Sequence, residues 1–398
     1  MNDEISVKEK EGELGLVLTG GGARGAYQSG AISALAEICR EVGMAWPFKI
    51  LAGTSAGAIN CSFLASHLYN KEGVQVGQEL NQVWSLLRME EVFRGDAPNM
   101  ILNAFNWMSM ISTGGKIRLK KDESMSLLDT SPLRKYLAHA MDFENIPRSV
   151  SNGAINSLAV TAFCYDSGVS QTFCHTHKDF DIWKRIKREG IRADISIDHI
   201  MASSAIPILF PPVLLGDHYY GDGGLRNYNP FSPAIKLGAK KVMVIGVRKQ
   251  AKGPEIQVRP TLGKVLGIIL NGLFLDAIYW DLEILQRINH AISKVEPKGG
   301  ETELRKIDVC LISPSKDIGL MAKDEFSSLS RTMRYFVRGL GGKEETADFL
   351  SYILFTPSFT KKLVELGRHD VFAKRREIEF FLKKKESSSE LADPISAA

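Results

Sequence analysis

Residues 14–25 read Leu14-Gly15-Leu16-Val17-Leu18-Thr19-Gly20-Gly21-Gly22-Ala23-Arg24-Gly25, and this stretch decides the fold. Leu14–Leu18 is a short apolar run, and from Gly25 to Glu41 the residues Ile32, Leu35 and Cys39 recur at helical spacing. The stretch therefore reads as a strand that hands over to a helix through a glycine turn. The same order recurs at once, because Phe48–Ala52 runs into Gly53-Thr54-Ser55-Ala56-Gly57 and on into an apolar segment ending near Leu68. Two successive strand–helix units predict an α/β fold with a central, mostly parallel sheet covered by helices on its faces. Both turns then lie at the carboxyl edge of one sheet, where open α/β folds bind ligands.

Working outward, Ser157–Cys164 and Val169–Cys174 flank the turn Asp166-Ser167-Gly168, and Val213–Leu215 and His218–Tyr220 flank Gly216-Asp217, so each pair reads as a hairpin. Lys241–Gly246 and Ile307–Ile312 add strands. The segment 71–125 differs in kind: Trp84, Met89, Met100, Phe105, Trp107, Met108 and Met110 gather in irregular sequence, as a mobile cap or as a helical insertion that uses Met and Trp for filling. Beyond about Val258 the pattern is mostly helical, with Gly267–Ile292 as one buttressing helix. The expected organisation is a charged leader 1–13, a catalytic domain 14–257 carrying the insertion, a helical region 258–386 packed on the core, and a small polar tail 387–398 that is disordered. No repeat is found.

Composition sets the outer limits. The 398 residues are 44% hydrophobic and 24% charged, which is ordinary for a globular chain and excludes wholesale disorder, collagen and a long coiled coil. The 50 Lys+Arg against 46 Asp+Glu leave +4, too little to argue for nucleic acid, and no nucleic-acid partner is expected. Five cysteines without C-x-x-C spacing read as buried thiols rather than a disulfide framework or a zinc site. The charged stretch Met1–Glu13 does not read as a secretory signal, and cytoplasmic residence follows as the expectation. The longest uncharged runs, Ala97–Gly115 and Val265–Leu275, are broken by polar residues or too short, so no transmembrane helix is expected.

Gly20, Gly22 and Gly25 also satisfy G-x-G-x-x-G, but a dinucleotide site needs an acid at the end of the second strand, and Phe48–Ala52 ends in Gly53-Thr54-Ser55. A glycine run at a helix start can in any case present crowded, unobstructed backbone N–H groups to negative charge. The second turn supplies a source of that charge. Gly53-Thr54-Ser55-Ala56-Gly57 has the nucleophile-elbow form, in which the glycines permit a strained turn that lifts a serine oxygen clear of the backbone. The competing reading is a helix cap made by Thr54 or Ser55. A serine attacking an ester carbonyl creates an oxyanion, which preorganised N–H donors stabilise by about 3–4 kcal/mol apiece.

A serine needs a base. The eight histidines (His67, His139, His175, His177, His199, His218, His290 and His369) all lie outside glycine-rich turns after strands. His290 and His369, which would suit the order Ser…Asp…His, sit in charged helical pattern and read as surface residues. His175 and His177 share a strand face but lack a third ligand, so no metal is implied. The better candidate is Asp222 in Gly221-Asp222-Gly223-Gly224, although an aspartate between glycines is also ordinary turn chemistry.

Four blocks in this order, Gly20–Gly25, Gly53–Gly57, Ala202-Ser203-Ser204-Ala205-Ile206-Pro207 with Phe210-Pro211-Pro212, and Asp222-Gly223-Gly224, make the sequence resemble the patatin-like acyl hydrolases over roughly residues 14–250. A lesser match is Leu127–Leu133. The resemblance implies a three-layer α/β/α fold with a helical C-terminal extension. It implies a Ser–Asp dyad without histidine, with Ser55 as nucleophile, Asp222 as base, and Gly21, Gly22, Ala23 and Arg24 stabilising the oxyanion. Gly53, Thr54, Ala56 and Gly57 then form the elbow, Gly223 and Gly224 support the acid turn, and no cofactor is called for. It further implies acyl lipids as substrates, in the manner of phospholipase A or a lysophospholipase. Lys361–Lys385, with nine Lys/Arg, is the stretch that would meet an anionic membrane, and a solvated helix face is its plainer reading. A soluble carboxylesterase or thioesterase with the same dyad and a non-catalytic lipid-binding regulator stay open as alternatives. The sequence does not specify an oligomeric state.

Overall fold

A computed structural model of the chain describes residues 13–94, 109, 112–113, 126–177, 183–249, 259–294 and 305–384. The leader up to residue 12, the tail 387–398 and most of 95–125, including Met100, Phe105, Trp107, Met108 and Met110, lie outside the described residues.

The strands are β1 (Glu13–Leu18), β2 (Phe48–Thr54), β3 (Ser157–Cys164), β4 (Val169–Thr176), β5 (Lys184–Arg185), β6 (Arg188–Arg192), β7 (Val213–Leu215), β8 (His218–Asp222), β9 (Ala239–Ile245) and β10 (Asp308–Ile312). They form one sheet in the order β10-β9-β1-β2-β3-β4-β6-β5, with β8 joined to β3 and β7 to β8. From β10 to β3 every pairing is parallel. A parallel sheet is covered on both faces, and its strands accordingly read as continuous apolar runs. Leu16 and Leu18 of β1 face one packed cluster while Val17 faces another, and Leu51 and Ile50 of β2 divide in the same way.

Helices α1 (Gly25–Glu41), α2 (Ala56–His67), α3 (Gly73–Leu86), α4 (Met89–Val92), α5 (Ser131–Ala140), α6 (Asn145–Ser151), α7 (Ile197–Ser203) and α8 (Ser232–Lys236) follow or flank the first nine strands. The C-terminal third adds α9 (Leu262–Phe274), α10 (Ala277–Lys294), α11 (Ile318–Asp324), α12 (Arg331–Leu340), α13 (Ala347–Ile353), α14 (Pro357–Ala373) and α15 (Arg375–Lys383). α1 and α14 pack against each other so closely that a Cβ at Gly30 would lie 2.0 Å from the Val364 carbonyl oxygen, and one at Gly367 would lie 2.1 Å from that of Tyr27. α10 and α8 contribute Ile278, Leu285 and Ala234 to the cluster on the opposite face. The architecture is thus the three-layer α/β/α expected, with the C-terminal third woven into it: β10 extends the central sheet beside β9.

Two features differ from the sequence reading. Gly267–Ile292 is two helices broken at Leu275-Asp276, where Leu275 and Asp276 N–H groups both turn to the Asn271 carbonyl and Asp276 pairs with Arg248. Together α9 and α10 also make one stretch, Leu262–Lys294, long and apolar enough by length and composition to cross a membrane, with a mean hydropathy of 1.5 over its best window. Asn271, bonded by the Tyr352 hydroxyl, and Asp281, which accepts from Asn229 and from the Phe231 N–H, commit one side of that stretch to the protein body. All five cysteines are free and buried, as the spacing predicts.

Candidate active site

β3 is the rail on which the two candidate catalytic residues meet. Its whole length pairs with β4 on one edge, and on the other edge β2 runs parallel as far as Thr54 opposite Thr161. β8 descends the same edge from the opposite direction, with Tyr220 opposite Cys164 and Asp222 opposite Ala162. The ends of β2 and β8 therefore abut at neighbouring positions of β3. Ser55 follows directly from Thr54, so the hydroxyl and the carboxyl arrive at one place from strands far apart in sequence.

Local backbone shape lifts Ser55 out of its strand. It has φ 56° and ψ −126°, a conformation unfavourable for a residue with a Cβ by about 1–3 kcal/mol, and it starts α2 by accepting the N–H groups of Ala58 and Ile59. The flanking glycines are required by close backbone approach: a Cβ at Gly53 would lie 2.5 Å from the Gly57 carbonyl oxygen, and one at Gly57 would lie 2.1 Å from that of Leu18. The Ser55 N–H donates to Ser203 Oγ at 3.0 Å, and that hydroxyl donates to the Thr161 carbonyl at 2.6 Å. Ser203 thus ties the elbow to β3. Thr54 receives the Asn227 side-chain amide at 2.9 Å, which joins the elbow to the turn after Asp222.

Asp222 is fully buried. Its own N–H donates to the Ala205 carbonyl at 2.9 Å, and its Oδ1 accepts from the Gly224 N–H at 2.9 Å. Among the described residues Oδ2 has no hydrogen-bond partner. Burial pushes the carboxyl up to about 7, against a downward pull from the Ser55 hydroxyl and the Gly224 N–H. The hydroxyl is close enough to bear on the carboxylate without completing a well-aligned bond to it, an arrangement common in sites that tighten only around substrate. A carboxylate poised near neutral pH is a far better proton acceptor than one at the ordinary aspartate value.

The glycine loop closes over the same point. A Cβ at Gly20 would lie 2.9 Å from Ser55 Cβ, which places the loop against Ser55. Gly22 has φ 57°, and a Cβ there would meet the Tyr352 carbonyl oxygen at 2.1 Å, so both its conformation and its neighbour demand glycine. Among the described hydrogen bonds the N–H groups of Gly21, Gly22 and Ala23 take no partner, while the Arg24 N–H closes the turn onto the Gly21 carbonyl. Arg24 acts through its side chain instead. Buried, it donates to Ser351 Oγ at 2.8 Å, pairs with Asp348 at 3.3 Å and lies over the Tyr352 ring. The loop's two ends are held by a buried amide network, in which Gln28 donates to the Thr19 and Ile245 carbonyls, Asn60 to the Gly25 carbonyl, and Trp84 to Asn60.

A narrow, almost wholly apolar cleft opens from Ser55, walled by Trp84 and Leu87 at the end of α3, Leu133 and Leu137 of α5, and Phe210 and Phe355. Part of the expected insertion therefore lines the site. The lesser block does so too: the Leu127 and Leu128 N–H groups bond the Ile208 and Leu209 carbonyls, which sets Leu133 beside the block that carries Phe210. Several contributors left no signal in sequence. Phe274 of α9 would meet a Cβ at Gly20 at 3.0 Å and one at Gly224 at 2.2 Å, so it covers the glycine loop and the turn after Asp222 from the C-terminal third, as Tyr352 covers Gly22.

His175 faces Asp194 at 3.1 Å, apart from the ends of β2 and β8. Among the described residues one set of three ligand-type side chains converges, Cys164, Asp166 and His218, with donor atoms within 4.8 Å; Asp166 and His218 are exposed and bond each other.

The sequence model of the patatin-like phospholipase family matches residues 16–235, more than half of the chain, and spans the glycine loop, the elbow and the acid turn. The chain belongs to this family. A relative in Invertebrate iridescent virus 6, named "Probable lipid hydrolase 463L", is 26% identical over 234 residues, which cover 57% of this chain and 64% of the relative. Among solved structures, human GIVD cytosolic phospholipase A2 bound to methyl gamma-linolenyl fluorophosphonate and terbium chloride aligns over 94% of this chain and 60% of its own, at 10% identity and a TM-score of 0.39. VipD from Legionella pneumophila aligns over 89% and 67%, at 13% identity and a TM-score of 0.29.

Proposed function

We propose that the chain hydrolyses fatty-acyl esters of membrane lipids, in the manner of a phospholipase A or lysophospholipase, with Ser55 as nucleophile and Asp222 as general base. The observation that carries this reading is the meeting of a strained serine, which lines an apolar cleft, with a fully buried carboxylate, one of whose oxygens has no partner among the described residues. Apolar walls suit an acyl chain, which gains about 0.8 kcal/mol for each methylene removed from water.

In this mechanism Ser55 Oγ attacks the ester carbonyl carbon while its proton passes to Asp222. The carbonyl oxygen becomes an oxyanion and is met by the N–H groups of Gly21, Gly22 and Ala23. Collapse of the tetrahedral intermediate breaks the ester C–O bond, and Asp222 returns its proton to the departing alcohol. Water then attacks the acyl-enzyme, Asp222 accepts its proton, and the fatty acid leaves as Asp222 gives that proton back to Ser55. The raised Asp222 pKa supports this role, because the ionised form still dominates above about pH 7 while its basicity is high. The proposed setting is cytoplasmic, with the enzyme working peripherally at the membrane.

Labelling with a fluorophosphonate tests the reading directly. Wild type reacts and turns over lipid and soluble esters, whereas Ser55→Ala does neither; undiminished hydrolysis by Ser55→Ala removes the dyad from consideration. Activity confined to monomeric esters points to the soluble esterase alternative.

A further inference from the structure

A surface helix normally turns polar residues to water. α9 does not. Its inner side is set by Gly263, Gly267, Leu270, Asn271 and Phe274, which pack against α12, α13 and the dyad loops. Its outer side consists of Leu262 at 59% exposure, Val265 at 39%, Ile268 at 55% and Ile269 at 49%, with Gly272 exposed beyond them. Past the two-residue break the pattern continues on α10 with Trp280 at 66% and Ile284 at 47%. A contiguous run of large exposed apolar side chains marks an interaction surface rather than scatter.

The charge left unpaired around this face is mostly positive. Lys264 is the single charged residue within α9. The end of α12 abuts the start of α9, since a Cβ at Gly263 would lie 3.2 Å from the Leu340 carbonyl oxygen, and α12 turns outward Arg331, Tyr335 and Arg338. Among the described residues Arg259, Lys264, Arg331 and Arg338 have no carboxylate partner, while of the nearby acids Asp276 is paired with Arg248, Glu283 with Arg287 and Glu344 with Lys323, and Glu345 accepts the Gly342 N–H. In the basic stretch Lys361–Lys385 five of the eight described cations are paired with carboxylates, and Lys361, Arg376 and Lys383 are not. The paired Lys362, Arg368, Lys374, Arg375 and Lys384 meet Glu325, Glu37, Glu377, Glu41 and Asp308.

We infer that the outer face of α9, continued by Trp280 and bordered by Arg259, Lys264, Arg331 and Arg338, is where the protein docks on an anionic lipid bilayer. The helix lies in the plane of the headgroups with its apolar side down. Apolar side chains, an amphipathic Trp and Tyr, and unpaired cations together are the chemistry of an interfacial helix, and the polar contacts of Asn271 and Asp281 with the body hold the stretch at the surface instead of across the bilayer. This deepens the lipid-hydrolase reading and rests on it for its biological sense: the helix whose inner face covers the glycine loop and the turn after Asp222 turns its outer face to the source of substrate.

The test separates docking from catalysis by using Ser55→Ala as the background. That protein is mixed with extruded vesicles of phosphatidylcholine alone or with one-third phosphatidylglycerol, and the vesicle-bound fraction is read by sedimentation. Binding is expected on the mixed vesicles, and adding Leu262→Glu and Ile269→Glu weakens it about tenfold or more. With Ser55 restored, the same two substitutions leave hydrolysis of a water-soluble short-chain ester within about twofold, which also reports an intact fold. Lys361→Glu with Arg376→Glu leaves vesicle binding unchanged. Retained binding in the α9 variant, loss caused by the Lys361 and Arg376 pair instead, or light scattering that shows α9 burying itself against a second copy overturns the inference. Failure of Ser55 to label or turn over ester sinks the hydrolase reading and leaves this measurement standing.

Discussion

The two N-terminal strand–turn–helix units and the C-terminal third stand in opposite relations to the proposed chemistry. The first holds Ser55 and the N–H groups of Gly21, Gly22 and Ala23 on turns whose shape is dictated within a few residues, by Gly53 and Gly57 at the elbow and Gly22 in the loop. The second supplies no atom to the proposed reaction, yet Phe274 lies against Gly20 and Gly224, Tyr352 on the glycine loop and Asp348 on Arg24. The contrast teaches that reactive groups follow local backbone rules, whereas their burial, and with it their basicity, is decided by distant packing.

Substitutions can break or sharpen that contrast. The largest effect is expected of Ser55→Ala, a loss of about 10⁴-fold or more in kcat/KM on a soluble ester, with far-UV circular dichroism unchanged. Asp222→Asn follows, with a loss of about 10³-fold and a second signature. The Asp222 pKa is higher folded than unfolded, so the folded protein binds the extra proton more tightly, and wild-type stability falls as pH rises from about 4 to about 7. The Asn variant escapes this cost. Its thermal midpoint should exceed that of wild type most clearly above pH 7, and the gap should vanish near pH 4, while wild-type kcat/KM rises through about pH 7. A pH-independent gap would show that Asp222 is not the buried acid described here.

Gly22→Ala comes next, at about 100-fold in kcat/KM, because its Cβ displaces the loop from the Tyr352 carbonyl. Gly43→Ala is the control: it shares a positive φ of 73° but meets nothing within 4 Å, so it costs about 1–2 kcal/mol of stability and no activity. Arg24→Met tests the reach of the C-terminal third. Removing this buried guanidinium leaves Asp348 and Ser351 without their partner and is expected to cost about 3 kcal/mol in denaturant melts, with a smaller drop in kcat. The smallest effect is expected of Arg368→Ala, which breaks a half-exposed pair with Glu37 at a cost of about 1 kcal/mol and leaves ester hydrolysis unchanged.

Much of the site was legible because its signals are local. Strand runs, glycine turns and helical spacing are short-range constraints, and they located β1, β2, the elbow and the hairpins to within a residue or two. Charge was read less well. Lys361–Lys385 looks like a basic face in isolation, but its partners Glu37, Glu41, Asp308 and Glu325 are remote in sequence, and only packing brings them near. The break between α9 and α10 has no local signal, because Leu275-Asp276 carries neither proline nor glycine; there the Leu275 and Asp276 N–H groups share the Asn271 carbonyl and Asp276 pairs with Arg248.

The amino-acid sequence by itself determined a parallel α/β sheet, a serine on a strained turn and a crowd of backbone donors beside it, since each depends on steric rules that act between neighbours. Only the tertiary structure decided that β8 runs down the edge of β3 to meet the end of β2, which brings Asp222 to Ser55 across 167 positions of chain. It also decided that the carboxyl is buried enough to titrate near 7. Strand order and desolvation are set by the whole packed molecule, and no short segment encodes either.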